Sequence, residues 1–211
     1  MDTAAFRAWM TEAARLVGAE ADRLTQLDAA IGDADHGVNL RRGFQAAVAM
    51  LDSAAPATPG AVLTTAGRAL ISKTGGASGP LYGTALRQAG KTLGEDQDVS
   101  AVQLGAALEA ARAGVQQLGA AHEGDKTMLD ALGPAVTAYQ MAVEGGGDLA
   151  DAARAAAEAA ARGAEETIPM LARKGRASYL GDRTIGHEDP GAASTALILR
   201  ALATVTAGEA R

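Results

Sequence analysis

The chain has 211 residues, 48% of them hydrophobic and 21% charged, which supports one substantial core and is far from the polar composition of a disordered chain. A formal net charge of −6, with no Lys/Arg stripe to offset it, argues against a nucleic-acid partner, and the absence of cysteine excludes disulfides, thiolate metal sites and a cysteine nucleophile. The first ten residues, "MDTAAFRAWM", form neither a basic nor an apolar leader, and no apolar run approaches the ~18 residues of a spanning helix. A single cytoplasmic domain over residues 1–211, binding neither nucleic acid nor membrane, is therefore expected.

Alanine is the commonest residue and the best intrinsic helix former, while aromatics are only 3%, so composition leans toward an all-α fold. Apolar residues recur at helical spacing from the start. Phe6, Met10, Ala13, Leu16 and Val17 outline a first helix, and Leu40, Phe44, Ala47, Val48 and Leu51 another. Similar stripes follow at Val62, Ala66 and Leu70, at Leu81, Ala85, Leu86 and Leu93, and at Leu104, Leu108, Ala111, Val115 and Leu118. Leu129, Leu132, Val136, Tyr139 and Val143 come next, then an Ala-rich span from Leu149 to Ile168 and a last one from Ala193 to Val205. About eight helices are predicted, and no stretch keeps the period-2 alternation of a strand. The breaks carry Gly, Pro and polar residues, as in "SAAPATPG", "SKTGGASGP" and "EGGGD". The longest break, between Lys174 and Gly191, reads as a loop without secondary structure, and loops of that length are usually functional.

One break, "LDAAIGDADHGVNL", brings Asp28, Asp33 and Asp35 together around Gly32 and Gly37. Any one of these aspartates could cap a helix and face water. Three together repel unless a cation relieves them, and all-oxygen ligation suits Mg²⁺, Mn²⁺ or Ca²⁺. An EF-hand loop counted from Asp33 fails, because Val38 occupies its glycine position and Phe44 its final glutamate. Sharing Mg²⁺ with a phosphate-bearing ligand is the better fit.

"TGGASGPLYG" places Gly75, Gly76, Ala77, Ser78 and Gly79 ahead of a helical stripe, where free backbone N–H groups favour an anion, although such a glycine-rich stretch can also be only a tight turn. It is not a Walker A loop, and neither is "GKT" at Gly90 to Thr92, which has Ala85 where the upstream glycine belongs. "EGDKTM", with Asp125, Lys126, Thr127 and Met128, and "GRASYLGDRTIGHEDPGAAS", with Arg176, Ser178, His187, Asp189 and Gly191, also offer polar groups at helix starts. Singly, Asp125 and Asp189 read as caps and Met128 as core; together the loops look like one site.

"LDAAIGDADHGVNLRRGF", "GGASGPLYGT", "GDKTMLDAL" and "GRASYLGDRTIGHEDPGA" closely resemble the motifs of the nucleotide-binding L subunits of bacterial dihydroxyacetone kinases, in order and over nearly the whole chain. Departures are minor: Glu123 stands where a proline often precedes "GDKTM", and Ala193 replaces a frequent threonine. The resemblance implies an antiparallel barrel of eight helices with ADP or ATP bound at one end through two Mg²⁺ ions. By motif match, Asp28, Asp33 and Asp35 are the metal ligands, Ala77 and Ser78 meet phosphate, and Gly76 and Thr127 also belong to the cofactor site. His36, Gly37, Val38 and Asn39 line the nucleotide site, and Met128, with Gly119 nearby, borders the adenine. Arg176 and the turn of Asp189, Pro190 and Gly191 close the pocket.

The same resemblance implies a phosphotransferase subunit with no catalytic residue of its own. A phosphohistidine on a partner, the M subunit, would phosphorylate ADP in place, and the phosphoryl group would pass to dihydroxyacetone on a separate K subunit. The chain reads as lacking a K domain, so that partner is expected, in a heterocomplex or with this chain as a homodimer. Free ATP as donor, another short ketose as acceptor, or an ADP-loaded regulatory module docking on a transcription regulator are the alternatives.

Overall fold

Each predicted stripe forms a helix. The computed structural model describes residues 1–209, and among them are nine α-helices: α1 (Thr3–Ala19), α2 (Ala21–Ile31), α3 (His36–Ala54), α4 (Pro59–Lys73), α5 (Ser78–Leu93), α6 (Ala101–Gly119), α7 (Leu129–Glu144), α8 (Leu149–Glu166) and α9 (Pro190–Glu209). Strand pairing among the described residues is limited to one isolated bridge between Asp2 and Asp98.

Two elements depart from the sequence expectation. Helix α2 follows α1 with only Glu20 between them, and Glu20 lies close to helical geometry (φ −99, ψ 8), so neither glycine nor proline marks the break. Asp28 therefore sits in the last turn of α2 rather than in a loop. The segment after Lys174 is not free of secondary structure either: Arg176–Thr184 winds as 3-10 turns with a kink at Gly181 (φ 57). Such short turns need no apolar stripe, so periodicity gives no sign of them.

Helices adjacent in the chain pack together from α3 through α9, α1 packs against both α3 and α9, and α2 lies outside against α3. The contacts thus close a ring of eight helices. Small residues such as Ala66, Ala107, Ala131 and Ala160 line its interior, with Phe6, Met10, Phe44 and Tyr139 as the large buried fillers. At the closure, the Trp9 indole N–H donates to the Ile198 carbonyl at 2.9 Å, and Trp9 meets Phe6 edge to face at 5.9 Å. Helix α9 corrects the expectation that no apolar run reaches spanning length: Pro190–Gly208 is long and apolar enough by composition. Its packing against α8, α1 and α7 makes it a core helix of the ring.

Helix starts fall into two groups. Helices α1, α4, α6 and α8 begin on Asp2, Thr58, Ser100 and Asp148, whose side chains accept an N–H of their own first turn. Helices α3, α5 and α7 begin on Asp35, Ala77 and Met128 with no such side-chain cap. These uncapped starts belong to alternate members of the ring and meet at one end of it.

Gly37 serves the fold, because a Cβ there would overlap the Ala21 carbonyl oxygen where α3 crosses α2. Gly18, in α1, faces open space. Gly37→Ala should lower stability by roughly 1–3 kcal/mol through overpacking. Gly18→Ala should raise it by about 0.5–1 kcal/mol through helix propensity. Urea denaturation of both variants checks the pair; equal effects would mean that the α2/α3 crossing is looser than described.

Candidate functional site

At the end where α3, α5 and α7 start, the chain brings its acidic cluster and its glycine-rich turn to one cavity. Asp28 is 8% exposed, and its Oδ2 accepts the N–H groups of Asp35 at 2.8 Å and His36 at 3.1 Å. This carboxylate thereby caps α3 from α2 and fixes the turn between them. Within the turn Ala34 is left-handed (φ 62), a costly conformation for alanine that the surrounding contacts must hold. As a result, ligand oxygens of Asp28, Asp33 and Asp35 come within 4.8 Å of one another. Three hard oxygen donors at that separation fit a small divalent cation. A cation already stands there in part: the Arg176 Nε lies 3.1 Å from Asp33 Oδ2, in a pair open to solvent and so weak enough to exchange.

The cavity, of about 450 Å³, is of the size that holds a nucleotide-like ligand. Its wall includes Asp28, Asp33, Asp35, His36, Gly76, Ala77, Ser78, Gly119, Thr127, Met128, Arg176, Asp189, Pro190 and Gly191. Three residues expected in the site lie outside that wall. Gly37 sits in the α2/α3 crossing, and Val38 is exposed at 43%. Asn39 is buried, accepts from Arg42 at 2.7 Å, and packs where a Cβ on Gly75 would touch it, so it supports the glycine-rich turn from behind. Conversely, Ile31, Leu81, Val115, Leu118 and Lys174 line the cavity without having been named as site residues, and Lys126, named only as a polar group of its loop, lines it too. Val115 and Leu118 belong to a helical stripe indistinguishable in sequence from core. Lys126 lies inside "GDKTM", and only its burial reveals its importance.

Opposite the carboxylates, α5 starts at Ala77 and Ser78 without a side-chain cap, so its first amides are free for an anion. Beneath them runs a polar network. The Tyr82 hydroxyl lies 2.9 Å from the Gly191 carbonyl, 2.6 Å from Ser194 Oγ and 2.9 Å from Thr195 Oγ1, and His36 Nε2 reaches Ser194 Oγ at 2.9 Å. Burial lowers the His36 pKa, favouring a neutral imidazole, and raises that of the Tyr82 phenol. The network binds α3, α5 and α9 together at the cavity floor.

Asp189 caps α9, its Oδ2 accepting the Ala192 N–H at 2.7 Å. Burial nonetheless pushes its pKa up to about 7. The unfolded chain then releases this proton near pH 4 and the folded one near 7, so stability falls as pH rises between them and levels off above. A displacement of this size corresponds to up to about 4 kcal/mol. Asp189→Asn keeps an acceptor for Ala192 but cannot ionise. Relative to wild type it should gain stability from pH 4.5 to about 7 and then level off, read from urea denaturation at each pH; a flat difference across that range would contradict the burial argument.

The family model of the DAK2 domain matches residues 30–204. Over 92% of its length the chain is 41% identical to the ADP-binding subunit DhaL of a PEP-dependent dihydroxyacetone kinase from Escherichia coli, of which it covers 93%. It is 39% identical, over 85% of its length, to an L-erythrulose 1-kinase of Mycolicibacterium smegmatis, of which it covers 31%. Among solved structures, the dihydroxyacetone kinase from C. freundii in complex with AMP-PNP and Mg²⁺ superposes on 97% of the chain with a TM-score of 0.72 at 27% identity, and the chain spans 34% of that kinase. A family model over most of the chain, a shared fold and near-complete coverage thus lead to a single assignment: the chain belongs to the DAK2-domain family, with the ADP-binding DhaL subunits of dihydroxyacetone kinases among its relatives.

Proposed function

We propose that this chain holds Mg·ADP or Mg·ATP in the cavity and presents the terminal phosphoryl group to dihydroxyacetone bound on a separate K subunit. The observation that carries this reading is the juxtaposition of the acidic triad with an uncapped helix start across one cavity. Relatives covered over nearly their whole length are named ADP-binding subunits, which supports a partner that carries the sugar.

Asp28, Asp33 and Asp35 would hold two Mg²⁺ ions, which when bound neutralise phosphate charge and stabilise the attacking and leaving oxygens. The N–H groups at Ala77 and Ser78 cradle a phosphate, and Val115, Leu118 and Met128 supply the apolar slot for the base. Arg176, held near Asp33, stands where it can exchange its carboxylate for a phosphate once metal occupies the triad. The chain thus positions the nucleotide and neutralises its charge, which is most of what phosphoryl transfer requires. A phosphohistidine on a third, M subunit is the donor we favour, regenerating ATP from ADP without its release, in a heterocomplex in the cytoplasm. That relatives include erythrulose kinases fits a module indifferent to the ketose, with sugar choice made by the partner.

The isolated protein should form no dihydroxyacetone phosphate from dihydroxyacetone and a phosphoryl donor. Addition of a K subunit should start turnover, followed by coupled reduction of the product. Product formation by the chain alone, freed of contaminating kinase, would overturn the subunit reading.

A further inference from the structure

Lys126 is among the largest fully buried side chains of the protein, 1% exposed, and its backbone is left-handed (φ 62). Its partners are carbonyl oxygens. The ammonium donates to Thr167 at 2.8 Å, Thr184 at 2.7 Å, Met170 at 3.1 Å and His187, with Ile168 at 3.5 Å. Three protons shared among five carbonyls make a cage of the kind that holds a metal cation, with a side chain as its cation.

The cage has a particular place in the chain. Thr167, Ile168 and Met170 directly follow α8, whereas Thr184 and His187 directly precede α9. Lys126 therefore gathers both feet of the segment whose middle carries Arg176. Neighbouring bonds reinforce the base: Gly186 N–H to the Ile168 carbonyl at 2.7 Å, and Arg173 N–H to the Asp125 carbonyl at 3.0 Å. Apolar packing contributes little, because the segment's Ala172 and Ala177 join only Ile31, with Leu180 at the edge, in a cluster apart from the main core. Tyr179, near the tip, is 88% exposed. A segment with so little buried apolar surface opens easily unless polar ties hold it.

We propose that Lys126 is a positioning residue for phosphoryl transfer: its ammonium clamps both feet of the 167–187 segment and thereby holds Arg176 over Asp33 and the nucleotide phosphates. The transfer role rests on the proposed function; the clamp does not. The residues that bind metal and phosphate, Asp28, Asp33, Asp35 and Ser78, lie on other elements. Loss of the clamp removes only the Arg176 contact, and should therefore lower turnover far more than nucleotide affinity.

The test compares wild type, Lys126→Met and Lys126→Cys, the last aminoethylated in denaturant and refolded. The protein has no other cysteine, so alkylation restores an ammonium at this position alone. An arginine-specific protease reads the segment without nucleotide: cleavage at Arg173, Arg176 and Arg183 should be at least about tenfold faster in Lys126→Met and return to the wild-type rate on aminoethylation. With partner and donor added, kcat should fall roughly a hundredfold in Lys126→Met while Mg·ADP affinity stays within about threefold. The double variant Lys126→Met/Arg176→Ala should be no slower than Arg176→Ala, since one residue acts through the other.

Unchanged cleavage in folded Lys126→Met, or fast cleavage that aminoethylation does not cure, would overturn the clamp. Additive losses in the double variant would overturn its link to Arg176. Should Lys126→Met fail to fold, the aminoethylated protein decides: wild-type protection supports the clamp, and rapid cleavage of the folded protein refutes it. Failure of the functional reading itself would appear separately, as absent turnover and nucleotide binding in wild type.

Discussion

Two unfavourable arrangements face each other across one cavity, and each is relieved by the same ligand. Three carboxylates within 4.8 Å call for a cation, and the uncapped start of α5 calls for an anion. A magnesium-bound phosphate answers both at once, whereas a bare metal or a free phosphate answers only one. The Arg176 contact with Asp33 is a partial substitute within the chain itself. Local strain is present in the same place: of the four left-handed residues other than glycine among the described residues, Ala34 lies at the acidic turn and Lys126 beneath the Arg176 segment.

The ring of helices produces this arrangement without special pleading. When neighbours alternate in direction, every second helix starts at the same end, and the starts of α3, α5, α7 and α9 meet there. Helices starting at the other end take their caps from Asp2, Thr58, Ser100 and Asp148, so stability at that end needs no ligand. At the cavity end Asp28 caps α3 from α2, Thr127 Oγ1 accepts the Leu129 N–H at the start of α7 and Asp189 caps α9, so that α5 alone begins without a side-chain acceptor. Stabilisation of the α5 start and relief of the acidic turn are thereby left for the bound nucleotide and its metal to supply, which couples folding stability to occupancy.

Much of this was legible in the sequence, and what escaped has identifiable reasons. Amphipathic periodicity locates every helix of the ring, because each buries one stripe of apolar side chains. It passes over α2, whose boundary at Glu20 carries no breaker, and the 3-10 turns of Arg176–Thr184, which bury almost nothing. The motifs identify the residues that carry charge or free amides, and most of them do line the cavity. Gly37 and Asn39 belong to the same motif yet act behind the wall, one by allowing a helix crossing and the other by supporting Gly75; a motif records that a residue matters, not which neighbour it serves. The role of Lys126 is what escaped most clearly. Its loop marks it as a polar group at a helix start, and only the fold brings five carbonyls from residues 41 to 61 positions away onto its ammonium.

The most direct test of the central claim is a thermal melt of wild type and Asp33→Asn, each with saturating Mg·ADP and again after chelation and desalting. Ligand at about a thousand times its dissociation constant stabilises by about 4 kcal/mol. For a domain of this size each kcal/mol moves the midpoint by roughly 2–4 °C. Stripping should therefore lower the wild-type midpoint by about 10 °C. The loss should be smaller in Asp33→Asn, whose empty site carries less repulsion and whose loaded site binds less tightly. Equal wild-type midpoints in both conditions would mean that the three aspartates only cap helices, and would contradict the account.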